Sequence, residues 1–272
     1  MTLVIRPGTP GKLILAQTYI GIDDPDAAAY IAAVELADQQ SLETATKVAI
    51  HSFIKGCKRD GIWPAIKACC ILTGARTLAG ALVPLVGTAP TNFNFVSGDY
   101  NRKTGLVGDA STKYLNSNRA LNADPQNNSH FSVYVSTAAS SGHGLIGNDD
   151  VPQNTGESGI YRNSSVFTGR SRNSFGFAAP VAASTTGLIA FSRSVGASID
   201  FRGGGSTSSI AYASLGSASS LVNIAVFSRD LTNAASRSNP RLAFYSIGES
   251  LDLALLDTRV TALINALAVA IP

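Results

Sequence analysis

Two hydrophobic rhythms divide this chain. Up to about residue 86 apolar residues recur at three- and four-residue spacing, the period of a helix with one buried face. From about residue 93 they alternate with polar ones in short runs. The last twenty-odd residues return to helical spacing. Asp23 or Asp24 stands before Pro25, which predicts a capped helix start with proline in the first turn. Tyr30, Ile31, Val34 and Leu36 follow as its apolar positions. Ser41 with Thr44 opens a second helix, with Leu42, Ala45, Ala49, Ile50, Phe53, Ile54 and Cys57 at helical spacing; Gly56 weakens its end and Gly61 closes it. Trp63-Pro64 predicts a third helix through about Leu72, carrying Ile66, Cys69 and Cys70. A short apolar piece, 78–86, ends at Pro84 and Gly87.

The alternation is clearest at 130–137. Phe131, Val133 and Val135 face one way, and Ser132, Tyr134 and Ser136 the other. Further strands are predicted at 93–96, 112–116, 143–147, 158–162, 172–178, 187–193, 196–202, 208–214, 221–229 and 241–247. Gly, Ser and Asn separate them. The stretches 187–194 and 196–204 meet at Val195-Gly196, which predicts a hairpin. Residues 221–230 are continuously apolar, which predicts a central strand. Leu251, Leu253, Leu255, Leu256, Val260, Leu263, Ile264 and Leu267 then form a closing helix too apolar to stand free.

The fold class expected is therefore α+β, mainly β. Residues 1–22 form an extended arm, because Pro7, Gly8, Pro10 and Gly11 exclude a helix. Its Leu13, Ile14, Leu15, Tyr19 and Ile20 can dock on a partner subunit or fold back. Residues 23–87 form a helical assembly region, 88–248 an antiparallel β-sandwich or jelly roll, and 249–272 a C-terminal helix.

Composition sharpens this. Charged residues are only 14% of the 272, against about 25% in an ordinary globular chain. Ser, Thr, Asn, Gly and Ala fill the difference. Net charge does little for solubility, so assembly into an oligomer or particle is expected. A formal charge of +3 gives no argument for nucleic acid. Between residues 151 and 229 stand Arg162, Arg170, Arg172, Arg193, Arg202 and Arg229, with no Lys and only Glu157 and Asp200 as acids. Read plainly, these are scattered arginines; read more sharply, they form a weakly basic face for an anionic glycan or a neighbouring subunit. The three cysteines, Cys57, Cys69 and Cys70, all lie in the helical part and predict reduced, buried thiols. The first seventeen residues lack the apolar core and cleavage site of a signal peptide. No unbroken apolar run reaches the length of a membrane span.

Three stretches resemble a known family. They are DPDAAAYIAAVELAD with GCKRDGIWPAIKACCILTGARTLAGALVPLVG, then APTNFNFVSGDYNRKTGLVGDASTKYLNSNR with NADPQNNSHFSVYVSTA, and last RLAFYSIGESLDLALLDTRVTALINALA. Their order resembles tailed-bacteriophage virion structural proteins with a concanavalin A-like (laminin-G-like) β-sandwich. That resemblance implies a virion protein assembled in the host bacterial cytoplasm, in tail fibre, baseplate or head surface. Its sandwich would be displayed outward for host attachment. Its partners would be other virion proteins and a host-surface glycan; the apolar arm, the apolar closing helix and the low charge add the chain itself, as a homo-oligomer with a trimer expected. Neither nucleic acid binding nor membrane insertion is implied. The alternatives are a capsid decoration or cement protein with no ligand, and a glycan-cleaving enzyme.

The residues weigh against the enzyme. Glycoside hydrolysis needs two carboxylates about 5–9 Å apart, and no E-x-D-x-x-E triplet occurs here. From residue 158 to 223 the only acid is Asp200. The glycines 203–205 predict a loop tip, since no Lys-Ser/Thr follows as in a phosphate-binding loop. His51, His130 and His143 do not assemble a third metal ligand. For glycan binding the candidates are Tyr161, Asn163, Arg170, Arg172 and Tyr212, which combine aromatic rings with amide and guanidinium donors. For Ca²⁺ the candidates are Asn148, Asp149 and Asp150, an oxygen-rich loop; simple turn chemistry is the competing account there and at Asp99 and Asn101. No other cofactor is expected.

Overall fold

A computed structural model describes residues 21–140, 143–148, 156–173, 175–215 and 222–272. The arm expected at 1–22 lies, but for its last two residues, outside them. The chain opens with α1 (Pro25–Asp38) and α2 (Thr44–Arg59), then β1 (Ile66–Ile71) and the single turn α3 (Leu78–Ala81). Next come β2 (Thr91–Phe93), β3 (Tyr100–Asn101), β4 (Gly105–Val107), β5 (Tyr114–Ala120), β6 (Ser129–Thr137) and β7 (Gly144–Asn148). They are followed by β8 (Ser158–Asn163), β9 (Val166–Ser171), β10 (Phe177–Ala182), β11 (Gly187–Arg193), β12 (Ser198–Gly203) and β13 (Ser206–Ala211). The chain closes with β14 (Asn223–Val226), β15 (Arg241–Gly248) and α4 (Leu253–Ala270).

The strands form two antiparallel sheets. One runs β13-β12-β11-β6-β15-β4-β3, the other β10-β9-β8-β7-β14-β5-β2. β15 is long enough for two neighbours on its second side: β4 pairs with its first residues and β1 with the rest. Between the sheets lies one apolar core. Phe131, Val133, Val135, Ile189, Phe191 and Ile247 meet Leu115, Ile146, Ile160, Phe167 and Val226 there. A second core lies on the other side of the β15 sheet. There Val34, Phe53, Ile54, Leu256, Val260 and Leu263 pack on Leu188, Ala190, Ala243 and Phe244.

The layers are thus helices, sheet, sheet. The β15 sheet is buried on both faces; the outer face of its partner is exposed at the β2, β9 and β10 margins, while Gly147, Gly159, Tyr161 and Ala225 at its centre are buried. The alternation of residues 130–137 survives with both faces buried, because helices cover the polar-looking side. There His130, Ser132 and Ser246 bond one another: His130 Nε2 lies 2.9 Å from Ser246 Oγ, which lies 2.7 Å from Ser132 Oγ.

Local chemistry explains the helices. Asp24 Oδ1 accepts from the backbone N–H of Asp26 and Ala27 at 3.0 and 3.2 Å, capping α1 before Pro25. Leu36, placed among its apolar positions, is instead 79% exposed. Charge pairs tie the layer down. Arg259 grips Asp60 at 2.5 and 2.9 Å, joining α4 to α2. Arg202 reaches Asp257 at 2.7 Å, joining β12 to α4. By length and composition alone α4 could cross a membrane, which the search for an unbroken apolar run did not foresee. Here Leu253, Leu256, Val260, Leu263, Ile264 and Leu267 are buried, as in a core helix.

The helix expected at 63–72 is a 3-10 turn, Trp63–Ala65, followed by strand β1. Its apolar run is too short for period alone to separate strand from helix, and pairing with β15 decides it. The candidate at 172–178 covers the turn after β9 and only the first two residues of β10, with Arg172 at φ +55°, and β9 itself was not expected. The short strands β3 and β4 carried too few residues to show a period. The hairpin of β11 and β12 and the interior place of β14 agree with the sequence reading. Cys57, Cys69 and Cys70 are free and buried, and burial pushes Cys57 and Cys70 up to about 12.

Candidate functional site

The open outer face of the β14 sheet follows from side-chain parity. Ile160 and Phe167 point into the core, so Gly159, Tyr161 and Asn163 of β8 point outward, with Val166, Thr168 and Arg170 opposite them on β9. Continuing across the sheet, Gly159 stands beside Gly147, Gly147 beside Ala225, Ala225 beside Asn116 and Asn116 beside Thr91. Gly147, Gly159 and Ala225 of this row are buried, and only Asn116 and Thr91 at its far end reach the surface. The two glycines are required: a Cβ on Gly147 would stand 2.8 Å from the Gly159 Cα, and one on Gly159 2.9 Å from the Gly147 Cα.

Guanidinium groups and aromatic rings frame that row. Arg229 lies over the Tyr161 ring at 5.1 Å and Arg170 at 5.7 Å. Tyr161 itself is 5% exposed, so the guanidinium groups form the visible surface above it. Glu157 bonds Arg170. Along the same sheet, the Phe93 ring stacks on Tyr114 at 4.4 Å, and Arg237 lies 4.6 Å over Tyr114. Phe93 is 36% exposed and offers a bare ring face. The two clusters flank the segment in which Ser228 bridges Arg237. Guanidinium planes over rings gain from the ring quadrupole; Arg170 is also paired with Glu157, and Arg237 donates to the Ser111 carbonyl.

Of the sequence candidates, Tyr161, Arg170 and Asn163 come to this one face. Arg172 and Tyr212 do not. Arg172 is buried and donates to the carbonyls of Leu121 and Asp124; burial lowers its pKa. Tyr212 packs edge-on against Phe177 at 5.1 Å and donates to the Phe175 carbonyl. Burial pushes its hydroxyl up to about 12. Beside it Arg193 is fully buried and donates to the backbone carbonyls of Val195, Gly196, Ser198, Tyr212 and Ser171. Its pKa falls to about 10 through desolvation. The arginine series therefore serves several places rather than one basic face: two residues in the interior, Arg202 under α4, and Arg170 with Arg229 on the open sheet.

Asn148, proposed for Ca²⁺, ends β7 and is 1% exposed. Its Nδ2 donates to the carbonyls of Val222 and Asn223 at 2.6 and 3.2 Å. Asp149 and Asp150 lie outside the described residues. Among the described residues no cluster of three or more His, Cys, Asp or Glu could hold a metal. Asp99 accepts from Val96 N at 2.8 Å and from Lys113 at 2.6 Å, while Asn101 caps its own turn. His51 bonds Asp23 at 2.6 Å. His130 sits under the helices, and His143 lies just before β7.

Sequence reading missed Phe93, Tyr114 and Arg237 as site residues, and placed Arg229 only within a count. Arg237 lies in no strand, so no period could have positioned it. Gly147 and Gly159 carried no signal beyond a strand glycine.

No protein-family model matches the chain, and no curated protein matches it. Among solved structures it is similar to a botulinum neurotoxin serotype D binding domain, with a TM-score of 0.49 and 11% identity, over 73% of this chain and 51% of that one. It is also similar to a NanB sialidase mutant from Streptococcus pneumoniae, with a TM-score of 0.40 and 12% identity, over 51% and 24% of the two chains. A third is the CBM40 of a Ruminococcus gnavus IT-sialidase, with a TM-score of 0.37 and 10% identity, over 49% and 82%. The chain thus spans about half the length of the toxin binding domain it matches. These likenesses are too distant to assign a ligand or an activity.

Proposed function

We propose that this chain is a non-enzymatic attachment module that binds a surface glycan on the open face of the β14 sheet. The observation that carries the reading is the asymmetry of the sandwich: one sheet is roofed by helices, and the other carries arginine-capped tyrosines and the exposed ring of Phe93. Sugars fit such a surface, because a ring face accepts their C–H groups while guanidinium and amide edges bond their hydroxyl or carboxylate oxygens. In the virion role implied by the family resemblance, the helical layer and the arm face the particle and the open sheet faces the host. The chain assembles there as a homo-oligomer.

Among the described residues, the acids near the open face are occupied by structural tasks. Glu157 holds Arg170. Asp230 accepts from Thr232 and Asn233 of its own turn, and Asp109 from Ser111, Thr112 and Lys113. Asp200, the one acid of the central strands, stands on the helix-covered sheet, in register with Ser192 and Ser209. A proton donor and a base on opposite sides of a glycosidic bond are not what these residues offer.

The test is a glycan array probed with wild type and with Phe93→Ala. The variant keeps its melting temperature and loses about tenfold in affinity, a change of about 1.4 kcal/mol. Added salt weakens binding to acidic glycans more than to neutral ones. Binding untouched by Phe93→Ala would place the ligand elsewhere. Absence of any glycan binding would favour a decoration protein with no ligand.

A further inference from the structure

Four strands end the two sheets, and three of them are poor templates for a further strand. β3 has two residues and β2 three. β10 contains Pro180, and its register with β9 shifts between Ala178 and Ala182. The outer side of β1 is met at Cys69 by Val86. β13 differs from all of these. It has six residues, Ser206–Ala211, each in unbroken register with β12, and it carries no charge and no proline. Among the described residues no segment pairs with its outer side. Soluble proteins usually blunt such edges with charge, proline or a bulge, because a row of unpaired backbone groups recruits another strand.

We propose that the β13 edge is a self-association surface, joining two copies of this chain in one continuous antiparallel sheet about a two-fold axis. A second copy is favoured as occupant because the edge is self-complementary. Small uncharged side chains face each other without like-charge repulsion, and antiparallel pairing of identical strands closes as an isologous dimer. The helices fix the register further. For both helical layers to lie on the same side, paired residues must share parity, so the axis passes through Ser208 or Ser209.

The strand is not alone at this edge. α4 packs over β11, β12 and β13, and a shallow groove on its flank is lined by Asp257, Thr258, Thr261, Ala262 and Asn265. Arg202 links the two, reaching Asp257 at 2.7 Å and Thr207 Oγ1 at 2.8 Å. The groove continues the edge and supplies area that six paired residues lack, since stable interfaces bury about 1,200 Å² or more in total. This two-fold contact differs from the trimer expected from the apolar arm.

The test uses the full chain in sedimentation equilibrium at micromolar concentration. Wild type gives twice its 28.1 kDa mass. Ser209→Lys, at an exposed side chain, keeps the melting temperature and weakens association at least about tenfold by setting like charges across the axis. Under mild oxidation Ser208→Cys or Ser209→Cys yields a covalent dimer, while Thr207→Cys does not. Removing residues 1–20 leaves the dimer intact. A monomeric wild type would overturn the proposal. So would an oligomer that ignores Ser209→Lys, forms no cross-link at either serine, or depends on residues 1–20. Glycan binding is read separately, so loss of one property does not decide the other.

Discussion

At the scale of single residues, a buried guanidinium, a buried imidazole and a paired carboxylate matter most. Among the described residues Arg193 has no carboxylate partner; backbone carbonyls from the β11–β12 turn, the exit of β13 and the end of β9 surround it. Arg193→Met leaves those carbonyls without donors and costs about 3 kcal/mol, read by urea denaturation. His130 is held neutral by burial, its pKa near 4 rather than 6.5. The unfolded chain takes up a proton as pH falls through 6.5, and the native chain does so only near 4. Stability therefore drops across that window, by up to about 3 kcal/mol. His130→Gln shows a smaller loss between pH 7 and pH 4.5 in the same assay. Glu43 acts lower on the scale. Arg102 holds its pKa near 2, below the usual 4.5, so its contribution is present above pH 4.5 and disappears as pH falls toward 2. The histidine window can thus be read apart from it.

At the scale of elements, strand pairing decided more than propensity did. The run from Ile66 to Ile71 mixes β-branched residues with alanine and cysteine, and its period fits either helix or strand. The second half of β15 needed a neighbour, and β1 supplies it. On the open sheet the approach of β7 and β8 depends on the facing glycines. Gly147→Ala or Gly159→Ala puts a methyl against the other strand's backbone, which cannot swing aside as a side chain would. Each costs about 2 kcal/mol and lowers glycan binding by disturbing the strands beneath Arg229. Thermal melts and array binding, measured together, check this. A neutral Gly159→Ala would mean the strands separate easily and their approach is not tight.

At the scale of the whole molecule, the layer order is the functional statement. The helical layer covers the β15 sheet, so the proposed ligand surface lies on the other sheet and the proposed self-association surface at the β13 edge. Removing residues 1–20 should leave the melting temperature within a few degrees, because α1 starts from its own cap at Asp24 and Ile22 still packs on the helical core. Under the virion reading, incorporation into particles is then lost. A truncated chain that fails to fold would show that the arm belongs to the core.

Much of this was decided locally. The cap at Asp24 and Pro25, the alternation of 130–137, the glycine turn at 203–205 and the apolar closing helix are short-range signals, and each became the element its residues prescribe. Tyr161 and Asn163 share a side through parity along β8, but Arg170 joins them only through pairing with β9, a strand the sequence reading did not place. Contacts distant in sequence settled the rest. Arg172 lies one residue beyond β9 in a left-handed turn that sends its side chain inward. Tyr212 lies one residue beyond β13, where Phe177 and Arg193 enclose it. Phe93, Tyr114 and Arg237 become neighbours only when β2, β5 and the segment after β14 are brought side by side. Period reports which way a side chain points from its own strand; which strand lies beside it, and what covers the face, is fixed by packing between segments far apart in the chain.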